Sequence, residues 1–191
     1  LRVVQALAAA GYTQDILISE SGSRPIDFLA GNAAAWVNQE EGENPTFSVA
    51  RAGQLLTAIA AANENPNRFG QDDLNLLREI KLNYDPSAGV YGEATSDNIL
   101  DQVWAMIGLA ANNAAVPEEA AAWLESAQAE DGSWNDGFGS TLDTTPLGLL
   151  ALLSAGTHDA GSEPIQAALA FTLSNQQPLG GWQNEWDRTT N

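Results

Sequence analysis

Apolar residues gather in four short segments that share a composition and an ending. Each segment is rich in Ala and Leu and stops at Gly or Asn; they lie at residues 4–11, 56–63, 106–113 and 149–156. Those two residue types tolerate the left-handed backbone conformation that closes a helix. The pattern therefore predicts four apolar helices with equivalent C-terminal stops, spaced 52, 50 and 43 residues apart.

A second, amphipathic set of helices is predicted between the apolar ones. Proline and carboxylates stand at their starts, as at Pro117, Glu118 and Glu119, where proline suits a first turn and acidic side chains complement the helix dipole. Apolar residues recur at helical spacing, while neighbouring charged residues can face water. The predicted ranges are 25–39, 71–82, 117–128 and 163–176. The alternation predicts an all-α fold in which an inner ring of helices is wrapped by an outer ring.

A compound motif closes the last two amphipathic segments. It reads Trp123, Leu124, Gln128, Gly132 and Trp134, and it recurs 48 residues later as Phe171, Thr172, Gln176, Gly180 and Trp182. A weaker copy at Asp85, Gly89 and Tyr91 lacks the glutamine, and a more degraded one lies at 36–42. Two full copies with identical internal spacing indicate a structural repeat.

The residue types of the motif suit a connector between helices. Glycine permits a tight turn, tryptophan can stack back over it, and a glutamine amide can bind backbone groups at a helix end. Because the motif recurs once per repeat, whereas an active site should be singular, we assign a structural role to Gln128, Trp134, Gln176 and Trp182. The alternative makes the aromatic residues a ligand surface.

In these motifs the chain resembles the QW repeats of triterpene cyclases and the wider prenyltransferase and squalene oxidase repeat superfamily. The resemblance implies a terpenoid cyclase-like α/α toroid of inner and outer helix pairs. Residues 1–191 would form one α/α repeat domain with about four pairs and the start of a fifth at 187–191, whereas family toroids close with about six. An incomplete ring is therefore expected. Residues 1–7 resemble the middle of a helix, so the native protein is expected to extend further.

The resemblance also singles out a candidate general acid, Asp143. Squalene-hopene cyclases carry an Asp-x-Asp-Asp-Thr motif just before an inner helix, and residues 141–145 match it only at Asp143 and Thr145. The paired carboxylates that hold one acid protonated are absent. Asp97 and Asp101 occupy a similar place one repeat earlier, and an aspartate that recurs where inner helices begin is better explained as an N-cap.

The amino-acid composition argues against several further classes of function. With 25 acidic and 7 basic residues the net charge is −18, so nucleic acid and anionic membrane surfaces are poor partners. The absence of cysteine excludes disulfides, a cysteine nucleophile and the thiolate zinc site of protein prenyltransferases. His158 is predicted to be an exposed loop residue. We expect no metal site, no cofactor and, since no apolar run approaches about 20 residues, no membrane insertion.

These exclusions favour a non-catalytic binding or interaction module. Its partner would be a small apolar ligand or a protein, and missing flanking repeats or a second copy would complete the ring. The resemblance implies part of a larger bacterial surface or secreted protein. Phe47, Trp104 and Met106 are candidates for lining a concave ligand face, although the simpler interpretation is that they fill the core. The alternatives are a cyclase-like enzyme fragment with Asp143 as its acid, and a structural spacer.

Overall fold

The fold is all-α, as the periodicity predicts. The computed structural model describes residues 1–41, 44–139 and 141–182. Within these ranges it describes every side chain except those of residues 39–41, 44 and 45. The described residues form eight α-helices: α1 (Arg2–Ala9), α2 (Pro25–Val37), α3 (Val49–Ala62), α4 (Leu76–Leu82), α5 (Leu100–Ala111), α6 (Glu118–Ser126), α7 (Thr141–Ala155) and α8 (Glu163–Ser174). They also form a 3₁₀ turn at Gln14–Ile16 and four short strands: β1 (Asn38–Glu41), β2 (Asn44–Phe47), β3 (Tyr84–Asp85) and β4 (Val90–Tyr91).

The helices are arranged in two rows. The odd row consists of α1, α3, α5 and α7, each packed against the next; the even row consists of α2, α4, α6 and α8, which pack on members of the odd row. Helices α3 and α5, in the middle of the odd row, are buried along most of their length, whereas α1 buries fully only Val4. The core thus follows the odd row and thins towards its first member.

The four helix stops adopt the conformation that their residue types predict. Gly11, Asn63, Asn113 and Gly156 follow the odd-row helices, with φ of +76°, +56°, +56° and +73°. Positive φ costs glycine nothing and asparagine little, so each helix ends where the sequence supplies one of them.

Two glycines let α3 and α5 approach until their backbones touch. A Cβ on Gly53 would collide with the carbonyl oxygen of Trp104, and one on Gly108 would lie 2.7 Å from the carbonyl oxygen of Gly53. No side chain fits between the helices at this crossing. The pair α3 and α5 consequently forms the closest contact of the odd row.

The first even-row helix after α3 is shorter than predicted. The amphipathic pattern begins at residue 71, but α4 starts only at Leu76 because the Asn75 side chain accepts a hydrogen bond from the Arg78 backbone N–H at 2.9 Å and caps it. Before the cap, Phe69 and Leu74 exchange two backbone hydrogen bonds of 2.9 Å across a tight loop. Local hydrogen bonding of this kind overrides an amphipathic pattern.

Two β-hairpins were not predicted. Strands β1 and β2 pair antiparallel, and so do β3 and β4. The first hairpin ends α2 at Val37, two residues before the predicted end. Helices α6 and α8 each end two residues before their predicted ends. The predicted start of a fifth inner helix at 187–191 lies outside the described residues.

Candidate functional site

The first full copy of the repeat motif binds three backbone carbonyls. Gln128 Nε2 donates to the carbonyl oxygens of Gly132 and Pro164, both at 2.9 Å, and so joins the end of α6 to the start of α8. Trp134 Nε1 donates to the carbonyl oxygen of Leu124 at 2.8 Å. Gly132 has φ of +87°, and a Cβ there would strike the backbone of α8. Gln128 and Gly132 thus contact α8, and Trp134 bonds back to α6.

The second copy makes two bonds that match those of the first. Gln176 Nε2 donates to the Gly180 carbonyl at 2.7 Å, and Trp182 Nε1 donates to the Thr172 carbonyl at 2.8 Å. The acceptors Leu124 and Thr172 are 48 residues apart, the same offset as the motif. These bonds are those expected of a connector between helices. A structural role for the motif residues, including Trp123 and Phe171, stays a prediction, which stability measurements can test.

The weaker copy obtains its glutamine from a different helix. Gln102, on α5, donates to the carbonyl oxygens of Gly89 at 3.0 Å and Ala120 at 2.8 Å, and its Oε1 accepts the Tyr91 backbone N–H at 2.8 Å. The side chain is fully buried with all these polar atoms paired. Gln102 was not predicted as part of the motif, and its place in the repeat becomes visible only in the structure. It precedes Thr145 by 43 residues, and Thr145 Oγ1 accepts the Trp134 backbone N–H at 3.1 Å.

Asp101 caps a neighbouring helix and not its own. Its Oδ1 accepts the backbone N–H of Ala50, in the first turn of α3, at 2.8 Å, and its Oδ2 accepts that of Glu93 at 3.1 Å. A carboxylate at a helix N-terminus is stabilised by the free N–H groups there and by the helix dipole. Asp101, on α5, therefore caps the N-terminus of α3.

The candidate acid Asp143 lies in the first turn of α7 with an exposed side chain. It lines none of the three cavities described for this chain. Asp97 is exposed as well, in the loop before α5. Of Asp97, Asp101 and Asp143, Asp101 is the member that lines one of these cavities.

The candidate ligand residues Phe47, Trp104 and Met106 lie in different surroundings. Phe47 is half-buried and lines a polar cavity of about 570 Å³ at the N-terminal ends of α3 and α5, together with Ser48, Glu93 and Asp101. Trp104 is half-buried against the core, and Met106 is fully buried within it. Their role in binding stays a prediction, with Phe47 the member that faces a cavity.

A second cavity, almost entirely apolar, opens at the first end of the odd row. This apolar groove has a volume of about 430 Å³ and lies between α1, α2 and α3. Its walls include exposed residues, Val3 on α1 with Phe28 and Trp36 on α2, while Leu55 of α3 is fully buried. Exposed apolar side chains that converge on a concave surface are typical of binding sites.

Trp36 is fixed in place at the edge of this groove. Its Nε1 donates to the Arg51 carbonyl at 3.3 Å, and an Arg51 guanidinium nitrogen donates to the Trp36 carbonyl at 3.3 Å. The Arg51 guanidinium carbon also lies 5.0 Å from the centre of the indole ring, within the range of a cation–π interaction. The wall of the groove is therefore ordered before anything binds.

His158 differs from its prediction as an exposed residue. Its side chain is mostly buried: Nε2 lies 3.4 Å from a carboxylate oxygen of Glu125 on α6, and Nδ1 lies 3.0 Å from the Thr157 hydroxyl. Among the residues that the structure describes, no group of three or more His, Asp or Glu side chains is placed to hold a metal ion. Within the same residues no helix has the length and apolarity to span a bilayer.

Comparison with known proteins gives one partial similarity. No family model matches the sequence. Over 66 residues the chain is 38% identical to alpha-onocerin synthase LCD of Lycopodium clavatum, an alignment that covers 34% of this chain and 9% of that protein. The chain thus matches only a small part of the length of this relative. The similarity points to the terpenoid cyclase-like superfamily, the group that the repeat motifs resemble.

Proposed function

We propose that residues 1–191 form one α/α repeat domain of the incomplete toroid type, and that it is a non-catalytic binding or interaction module. The apolar groove between α1, α2 and α3 is its binding site, for a small apolar ligand or an apolar protein surface. The exposed apolar walls of this groove are the observation that carries the proposal. Burying such a surface is favourable at about 25 cal/mol per Å².

The location of the candidate acid supports a non-catalytic role. A general acid for a polyene must project into a cavity that excludes water. Asp143 is exposed and lines none of the cavities described above. Asp101 does face a cavity, but both of its carboxylate oxygens are engaged as acceptors of backbone N–H groups.

Binding of the neutral dye Nile red tests the groove directly. Val3→Asp places a carboxylate on its wall at a half-exposed position, so the fold should tolerate the change while the affinity for an apolar probe falls at least about tenfold. Leu179→Asp is the matched control, because Leu179 is almost fully exposed and lies outside the groove.

The two variants should separate by fluorescence titration, with circular dichroism as the check on folding. Equal dye affinity in the unmodified chain and in folded Val3→Asp would refute the groove as the site. Equal loss in both variants would mean that the dye reports general surface apolarity and would also count against the proposal.

A cyclase-like enzyme with Asp143 as general acid is the second candidate. The partial similarity to alpha-onocerin synthase favours it. The full-length protein would be incubated with linear polyprenyl substrates and the products analysed by mass spectrometry. Cyclised product that disappears in Asp143→Asn would establish this function in place of the binding role.

A further inference from the structure

The polar cavity at the N-terminal ends of α3 and α5 lies apart from the apolar groove. Its volume is about 570 Å³, a size usual for small-molecule sites, and no described residue lines both cavities. The turn after β4 forms one wall, and the end of β2 forms another. The side chains that line it include those of Thr46, Phe47, Ser48, Asn83, Glu93 and Asp101.

The repeat shows how the equivalent space is filled one repeat later. The offset of 43 residues between the motif glycines matches Gly92 to Asn135. The offset of 50 residues between the stops of α3 and α5 matches Val49 to Ile99. At this later junction the Ile99 N–H donates to the Asn135 carbonyl oxygen at 3.2 Å, and the adjacent residues continue the contact as an antiparallel bridge. The two segments thus touch directly at the start of α5.

At the start of α3 a side chain takes the place of that direct contact. The Asp101 carboxylate lies between the two segments and accepts the backbone N–H groups of Ala50 and Glu93. Gly92 lies so close to this carboxylate that a Cβ would strike it. Because a carboxylate is wider than a single backbone hydrogen bond, the segments are held apart. The cavity therefore opens inside the array, between two helices that pack on each other.

The polar groups that line this cavity are mainly hydrogen-bond acceptors. Glu93 and Asp101 supply carboxylates, which accept hydrogen bonds and do not donate them when ionised. The Asn83 side chain already donates an amide hydrogen to the Glu79 carbonyl oxygen at 2.9 Å. A ligand that complements these walls must therefore bring N–H or O–H donors.

The charge around the cavity favours a cation. None of the lining residues that the structure describes is Lys, Arg or His. Backbone N–H groups and the N-terminus of α3 offset part of the Asp101 charge, whereas the Glu93 side chain is exposed. The net charge of −18 adds a long-range field that attracts cations. Phe47 adds apolar surface, and an aromatic ring can also hold a cation against its face.

We propose that the polar cavity binds a guanidinium or ammonium group carried on a short alkyl stem, with Glu93 as its main charged partner and Phe47 packed against the stem. Such a group supplies several N–H donors together with a positive charge. Two carboxylates do not complete a metal site, and the described residues contain no group of three or more metal-ligating side chains, so an organic cation suits the cavity better than a metal ion. This site does not depend on the function proposed for the apolar groove.

Titration of the isotope-labelled chain with butylguanidinium, followed by NMR, tests the site. Saturable shifts should concentrate at the backbone amides of Ala50 and Glu93, which bind Asp101, with half-saturation at about 1 mM or below. Butylurea has nearly the same shape but no charge, and should bind at least about tenfold more weakly. Sodium chloride should weaken the binding of butylguanidinium, because salt screens the attraction.

Two variants and a matched control locate the charge. Glu93→Gln keeps the size of the side chain and removes its charge, so the affinity should fall about tenfold, whereas Thr46→Lys places an ammonium group on the wall and should abolish binding. Both positions are exposed, so the fold should tolerate the changes. Glu130→Gln makes the same change in net charge at an exposed position outside the cavity, and should bind like the unmodified chain. Circular dichroism confirms that each variant is folded.

The blocked tripeptide acetyl-Ala-Arg-Ala-amide distinguishes two sources of such a cation. Shifts at the same two amides with this peptide would assign the cavity to an arginine side chain of a partner protein. Shifts with butylguanidinium alone would assign it to a small free cation.

Three results would overturn the proposal: no saturable shift at these amides with either probe, equal affinity for butylurea and butylguanidinium, or equal affinity in folded Glu93→Gln and Glu130→Gln. None of these results bears on the apolar groove, which the Nile red titration tests separately.

Discussion

Three buried or half-buried polar side chains serve the turns that follow the even-row helices, although they come from different elements. Gln128 binds the Gly132 carbonyl from four residues before it, whereas Gln102 reaches the equivalent Gly89 carbonyl from α5. Thr145 takes the place of Gln102 in accepting the aromatic residue's backbone N–H. A buried carbonyl without a partner is costly, so the donor is retained while its origin changes.

Truncation of Gln128 should therefore cost more than truncation of its equivalent Gln176. Gln128→Ala removes two hydrogen bonds and leaves the Gly132 and Pro164 carbonyls without this donor, which should lower the free energy of unfolding by about 1–3 kcal/mol. Gln176→Ala removes one bond at an exposed site and should cost roughly 1 kcal/mol or less. Urea unfolding of both variants checks the order, and equal losses would contradict the structural role of Gln128.

At the scale of elements, helix ends follow local chemistry while helix contacts do not. The left-handed residues that end the odd-row helices can be predicted from the sequence, because one Gly or Asn decides each of them: Gly11, Asn63, Asn113 and Gly156. The close crossing of α3 and α5 depends on Gly53 and Gly108 meeting across 55 residues of sequence, and nothing near either residue marks it. Glycine within a helix otherwise indicates only a local loss of stability.

The crossing predicts opposite effects for the same substitution at two glycines. Gly53→Ala would drive a Cβ into the backbone of α5 and should destabilise the protein by about 1–3 kcal/mol or more. Gly31→Ala, on α2, meets only a side-chain atom at 3.9 Å and should be neutral or stabilise by up to about 1 kcal/mol, because alanine favours helix. Thermal unfolding of both variants compares them, and a harmless Gly53→Ala would refute the backbone contact.

On the scale of the whole molecule, charge opposes the compact state. The net charge is −18, and the seven basic residues can offset few of the 25 acidic ones; one described ion pair joins Arg24 to Asp27 at 2.7 Å. The pKa of Asp27 is lowered, chiefly by the hydrogen bond from the Arg24 side chain. Both groups are largely exposed, so this pair contributes little against the repulsion among the remaining acidic residues.

Salt should consequently stabilise the protein. Raising sodium chloride from about 20 mM to about 300 mM shortens the screening length and weakens repulsion more than it weakens the few ion pairs. The free energy of unfolding in urea should rise at pH 7, measured at a protein concentration where the chain is monomeric. Asp27→Asn should show the same dependence, and a decrease with salt in both proteins would mean that attractive pairs dominate.

The sequence by itself determined the helices, their alternation and the stops of the odd-row helices, because period, composition and stop residues act within a few positions of the chain. It also located the two full repeat motifs, most of whose bonds join residues close together in the sequence. Only the tertiary structure decided that Gln102 replaces a missing glutamine and that Asp101 caps α3. Each of these depends on which elements become neighbours, and contacts between separate elements leave no local pattern in the sequence.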